Sequence, residues 1–293
     1  MSNPTLERLG FKPDDRVVIV HADDVGMCHA ANAAFWEDQA AGLVTCGAVM
    51  MPCPWVAEMA DWCRAHPEAD VGVHLTLTSE WEGYRWGPLS TRDPKSGMVD
   101  EQGYLWRSNE EVYTHMDADA AIAELRAQVE HALALGIDVT HIDTHMGTVM
   151  HPDLLPAYIQ LAIEYRLPAM LPMIPRDRVG DWGISPEHGE VFWSAMQDLV
   201  ATGFPVLDWI CSTQAQDDHL AGCKRLFDSV PVGVTHLLLH PSVPGSDVEA
   251  ITNSAAYRID DYRTFLRPEL RAHVEGQGIH TIGYRQLRDL IRG

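Results

Sequence analysis

The strongest constraint on this chain is a repeated alternation of short apolar, often β-branched runs with longer helical stretches. "RVVIVHADD" (16–24), "VTCGAVMM" (44–51), "ADVGVHLTLT" (69–78) and "IDVTHIDTH" (137–145) read as strands. "LPAMLPM" (167–173), "PVLDWIC" (205–211), "THLLLHP" (235–241) and "HTIGYRQ" (280–286) read as later ones. Helical composition fills 32–42, 54–67, 117–136 and 152–166. In 117–136, Ile122, Leu125, Val129 and Leu133 recur at helical spacing and Gly136 closes the run. Such alternation builds βαβ units around a parallel sheet. With no internal repeat and no visible boundary, the expected architecture is one α/β domain over 1–293, a TIM-like, irregular (β/α) barrel with parallel strands. Two segments interrupt the pattern, 79–116 and 175–190, both rich in aromatic, glycine and charged residues. Long insertions often carry function. Exposed aromatic side chains there, Trp86 among the candidates, can stack on a sugar ring or anchor a homodimer interface.

Charge narrows the partners. A net charge of −21 and a pI near 4.9 argue against nucleic acid and against an anionic membrane surface. Neutral substrates such as sugars are not repelled. The first residues, "MSNPTLERLGFKPDDR", carry neither the basic nor the apolar region of a secretory signal, and no apolar run is long enough to span a bilayer. Six cysteines without a C-x-x-C pair read as reduced thiols, so the expected location is cytoplasmic.

In a parallel barrel the chemistry gathers where strands end. Here the first strand runs into Asp23 and Asp24, the third carries His74, the fourth ends in His141, Asp143 and His145, and "HLLLHP" ends at His240. Each ending has an ordinary reading: Asp23-Asp24 before Gly26 suits a turn, and His21, His74 and His141 suit hydrogen-bonded core histidines. Together, Asp24, His74 and His145 on three strand ends make two imidazoles and a carboxylate, a standard catalytic divalent-metal set. Alternation along a strand puts His141, Asp143 and His145 on one face. Asp23 and Asp24 are adjacent and cannot share a direction in a regular strand, which suggests that one holds a metal while the other touches its water. His66, His115, His131, His188, His219, His273 and His280 read as surface or helix residues without a role.

"HADDVGM", "GVHLTLT", "THIDTH" and "HPSVPG", in that order, resemble the YdjC-like carbohydrate deacetylases, the ChbG/HpnK family. The resemblance covers most of the chain, from 17 to 245. It implies a TIM-like barrel that binds one divalent metal, zinc or magnesium, through one Asp and two His, and removes N-acetyl groups from amino sugars. Carried over, Asp24, His74 and His145 become the ligands, Asp23 the general base and His240 the general acid. Arg176 becomes an arginine near the catalytic carboxylate. From their shared strand face, His141 and Asp143 are expected to support His145 by hydrogen bonds. One departure stands out: where chitooligosaccharide-type members continue with further histidines, Met146, Gly147, Thr148 and Val149 follow here, and His151 comes late. The chitooligosaccharide substrate is therefore not carried over.

Two rivals stand beside an N-acetyl sugar deacetylase: another divalent-metal amide or ester hydrolase on the same barrel, and a non-catalytic, metal-stabilised carbohydrate-binding protein. Lys12, Lys95 and Lys224 are the lysines present, and none ends a candidate strand, which weakens a two-metal site built on a carboxylated lysine.

Overall fold

The computed structural model describes residues 3–174, 176 and 185–293. Among the described residues, seven parallel strands form the sheet: β1 (Arg16–Val25), β2 (Cys46–Val49), β3 (Val71–Leu75), β4 (Val139–Thr144), β5 (Trp209–Ser212), β6 (Gly233–Leu239) and β7 (Ile279–Ile282). Their order is β4-β3-β2-β1-β6-β5. The fifth of the eight expected strands, 167–173, forms bridges rather than a full strand, and these close the ring. Met170 N–H donates to Ile142 of β4, and Leu207, just ahead of β5, exchanges hydrogen bonds with Leu171 and Met173. The result is an irregular barrel. Its irregularity is greatest at β1, whose first half pairs with β7 and whose second half pairs with β2.

Alternation along β1 sorts its side chains. Val18, Val20 and Ala22 join the larger apolar cluster between sheet and helices, while Val17 and Ile19 join a smaller one with Cys46, Leu207, Ile210, Val234, Ile282, Tyr284 and Leu287 inside the ring. Each fully buried aliphatic side chain contributes roughly 1.5–3 kcal/mol. His21, His141 and His236 are buried together, with Tyr284 stacked on His141 at 4.0 Å and 5.7 Å from His236.

The helices at 29–41, 56–65, 118–134 and 155–165 fall where the sequence places them. Helices at Asn109–His115, His219–Ser229, Ala255–Phe265, Pro268–Gly276 and Tyr284–Arg292 complete the outer layer. The 79–116 insertion is ordered by its own contacts. Ser108 and Glu111 form a reciprocal cap on Asn109–His115, and buried Glu124 accepts N–H bonds from Leu89 and Ser90. Of the 175–190 insertion, 175 and 177–184 lie outside the described residues. A helix, Pro186–Ala201, already begins within it.

Candidate metal and catalytic centre

All strands being parallel, the ends of β1, β3, β4 and β6 meet at one rim. Asp24 reaches it through a local departure from strand geometry. Its φ is +60°, in the left-handed region that aspartate tolerates better than most residues. The β1–β2 register shifts between Ala22 and Val25. This kink lets adjacent Asp23 and Asp24 face one centre, which a regular strand forbids. β4 ends at Thr144, one residue short of the expected strand, and His145 opens a 3₁₀ turn in which Met146 and Gly147 have φ of 53° and 69°.

Three donor atoms converge there. His145 Nδ1 lies 3.1 Å and His74 Nε2 3.4 Å from Asp24 Oδ1, and the two nitrogens are 3.3 Å apart. Ligand bonds of about 2.0–2.1 Å arranged tetrahedrally have an edge of about 3.3–3.4 Å, so the triangle has the size a small divalent cation requires. The second nitrogen of each ring is already committed. His74 Nδ1 donates to Asp143 at 2.8 Å, and His145 Nε2 lies 3.2 Å from both Glu80 oxygens. Carboxylate partners of this kind fix the tautomer and leave the inward nitrogen as a lone-pair donor. Neither oxygen of buried Asp24 receives an aligned hydrogen bond, although Arg258 lies 2.7 Å away as an ion pair. The donor set and its unsatisfied oxygens fit a divalent cation.

The electrostatics agree. Four carboxylates, those of Asp23, Asp24, Asp143 and Glu80, surround the rings, while Arg258 supplies a fixed positive charge. Burial opposes ionisation of Asp24, but Arg258 and His145 outweigh it and hold the carboxyl well below the usual carboxylate range. Burial would lower His145, yet Glu80 and Asp24 raise it to about 9. His74 is likewise raised against burial, by Asp143 and Asp23. The surrounding carboxylates thus favour positive charge at the centre of the site.

Asp23 stands beside the triangle. Its Oδ1 is 2.6 Å from His21 Nδ1, and its Oδ2 is 3.9 Å from both His74 Nε2 and His240 Nε2. Burial opposes ionisation of Asp23 too, but His74, His21 and His240 together lower it below the ordinary range. Burial lowers His240, whose backbone N–H is held at 3.0 Å by Asp261 Oδ2. Asp261 is held in turn by His219 and Thr213.

Asp23, Asp24, His74, His145 and His240 are thus brought together. Four other expectations are corrected. Asp143 supports His74, while His141 contacts His21 and Thr140 rather than His145. Arg176 is exposed, and its guanidinium pairs with Glu190 rather than with a catalytic carboxylate. Trp86 is buried with Trp81 and Tyr84, its indole N–H given to Thr78, so neither face is free for a sugar. His219 is a helix residue, as expected, and it is buried as a partner of Asp261. Reading strand ends missed Arg258, Asp261 and Glu80. Glu80 follows "LTLTS" closely enough that its strand-end loop was a usable signal. Arg258 and Asp261 sit one turn apart on a helix, with no such mark.

A rim triangle of one carboxylate and two imidazoles places the protein among α/β barrels able to hold a divalent cation. Similarity narrows that class: the chain belongs to the YdjC-like protein family, which it matches over residues 17–276. A carbohydrate deacetylase from Thermus thermophilus is 32% identical over 287 residues, covering 98% of both chains. One from Thermoanaerobacter pseudethanolicus is 27% identical, covering 93% of this chain and all of that one, 100%. A crystal structure from Enterococcus faecalis, of a protein named for cellobiose-phosphate cleavage, shares the fold with a TM-score of 0.78 at 23% identity, covering 93% and 99%.

Proposed function

We propose that this protein is a divalent-metal-dependent carbohydrate deacetylase that removes an N-acetyl group from an amino sugar or glycoconjugate. The observation that carries the reading is the meeting of the Asp24-His74-His145 triangle with Asp23 Oδ2 and His240 Nε2 at one rim. The names of the curated relatives support the substrate class. Asp24, His74 and His145 would hold the ion, zinc or magnesium, with two imidazole donors favouring zinc. Bound there, it would supply Lewis acidity toward water and the amide carbonyl.

The chain's own residues do the rest. Arg258 keeps Asp24 ionised. Asp143 and Glu80 hold the two rings in donor orientation. Asp23 Oδ2 accepts a proton from the attacking water as its oxygen bonds to the acetyl carbon. That proton passes to the amide nitrogen by way of His240 Nε2, which faces the same Asp23 oxygen, as the C–N bond breaks, so both side chains return to their starting protonation. The products are acetate and the free amine. A net charge of −21 suits this neutral substrate.

The test is a screen of N-acetylated sugars and glycoside or glycolipid precursors, with and without chelator, with metal content read by mass spectrometry. Asp23→Asn is expected to keep bound metal and lose turnover, and His145→Ala to lose both. Turnover of other amides or esters alone would favour a different hydrolase. Chelator-sensitive stability without any turnover would favour a binding protein.

A further inference from the structure

Beneath Asp23, the barrel interior holds an unbroken line of polar side chains that the reaction above leaves unused. His21 Nδ1 lies 2.6 Å from Asp23 Oδ1, and His21 Nε2 lies 2.8 Å from His141 Nε2. His141 Nδ1 is 2.9 Å from Thr140 Oγ1, which also bonds Asp70 Oδ1. At Asp70, Oδ2 accepts the Arg285 backbone N–H at 2.7 Å. All five side chains are buried, yet Asp70, ahead of β3, borders a cavity of about 650 Å³ at the opposite end of the barrel. The line therefore runs from one rim to the other.

Each link holds one hydrogen, so the direction of one fixes the rest. Suppose Thr140 gives its hydroxyl hydrogen to Asp70. His141 must then donate from Nδ1, accept at Nε2 from His21, and leave the His21 Nδ1 lone pair facing the Asp23 carboxylate. Two acceptors cannot sit 2.6 Å apart. A proton on Asp70 reverses every link. Asp70 gives to Thr140, Thr140 to His141 Nδ1, His141 Nε2–H to His21, and His21 Nδ1–H to Asp23. An extra proton on His21 or on His141 is the other way to satisfy the line with Asp70 ionised.

The surroundings favour the neutral line. The groups facing Asp70 are Thr140 and His141 from β4, His21 from β1, Cys46 from β2 and Arg285 from the last helix. Burial raises the Asp70 carboxyl above its usual range, although Thr140 and Arg285 pull the other way. Burial and the neighbouring histidines keep His141 well below its usual value, and therefore uncharged.

We propose that Asp70 carries a proton, and that Asp70, Thr140, His141 and His21 are positioning residues that occupy Oδ1 of Asp23 and aim Oδ2 at the reacting water. This rests on Asp23 being the base. In Asp70→Asn the amide oxygen accepts from Arg285 and the amide N–H donates to Thr140, preserving the direction of the line. That variant should keep its kcat. Thr140→Val should lower kcat by about 10–100-fold, the range for groups that act through a ligand or base, with KM and bound metal unchanged. Thr140→Ser should restore it. Nitrogen-15 NMR of the metal-loaded, unmodified protein should find His21 protonated at Nδ1 alone and His141 at Nε2 alone, unchanged in Asp70→Asn. Full kcat in Thr140→Val, lost kcat in folded Asp70→Asn, a doubly protonated or Nε2-protonated His21, or a doubly protonated His141 would overturn the proposal. If Thr140→Val does not fold, the ring protonation pattern decides by itself. That pattern is also independent of turnover, so an active Asp23→Asn would sink the base assignment and not the direction of the line.

Discussion

At the scale of single residues, burial sets the terms on which charge is tolerated. Asp24 and Asp38 are both fully buried carboxylates without an aligned hydrogen bond, but their fates differ. Asp24 has Arg258 and two imidazoles, and stays ionised. Asp38 has no such partner, and burial, with Asp261 and Glu37 nearby, pushes it up to about 9. Its native form then binds a proton that the unfolded chain releases near pH 4. Stability must fall as pH rises from about 4 to about 9, by at most about 1.4 kcal/mol per pH unit from this group. Asp38→Asn should remove that slope: the variant melts higher than the parent at pH 8, and the gap closes by pH 4. Equal melting curves at pH 8 would refute it. Glu80 offers a second residue-scale prediction. Glu80→Gln keeps an acceptor for His145 Nε2 but loses the charge, so metal affinity should drop about 10–100-fold in a competition titration.

At the scale of elements, the helix Ala118–Ala134 does more than cover the sheet. Gln128 accepts the N–H of Thr76 at 2.9 Å and donates to its carbonyl at 2.7 Å, clamping the chain two residues beyond His74. One turn earlier, Glu124 accepts from Leu89, Ser90 and Gln128, so the same helix anchors the 79–116 insertion. Gln128→Ala strips partners from two buried backbone groups and should cost about 2–4 kcal/mol in urea denaturation. A cost below about 0.5 kcal/mol, the level of a neutral surface change, would show that the clamp is dispensable. The element β1 contributes differently. Its kink at Asp24 trades regular pairing for two carboxylates on one side, a strain of about 1–3 kcal/mol held by the surrounding barrel.

For the whole molecule, the barrel brings four carboxylates to one rim, and a cation bound there would relieve their mutual repulsion. Metal binding to the folded state alone stabilises it by about 2.7 kcal/mol at a hundred times Kd. Chelation should therefore lower the melting temperature, and the loss should vanish in His145→Ala. A chelator-insensitive melting temperature in protein shown to contain metal would contradict the site. Among the described residues, no helix is long and apolar enough to cross a membrane.

Much of this was legible in one dimension. The runs at 16–24, 44–51, 69–78, 137–145 and 235–241 became strands because apolar, β-branched side chains suit a sheet buried on both faces. A parallel barrel then gathers their ends, which is why Asp23, Asp24, His74, His145 and His240 stood among the strand-end candidates, with the base and acid roles supplied by the family resemblance. What the sequence could not carry was direction and partnership. Asp143 turned to His74 because parallel register sets those two side by side. Arg258 reached Asp24 from a helix far along the chain. The line from Asp23 to Asp70 exists because β1, β3 and β4 lay their residues together inside a closed ring. Local pattern decides which residues are buried and which end a strand, since both depend on near neighbours. Hydrogen-bond partners and charge balance depend on residues distant in sequence, and only the closed tertiary structure selects those.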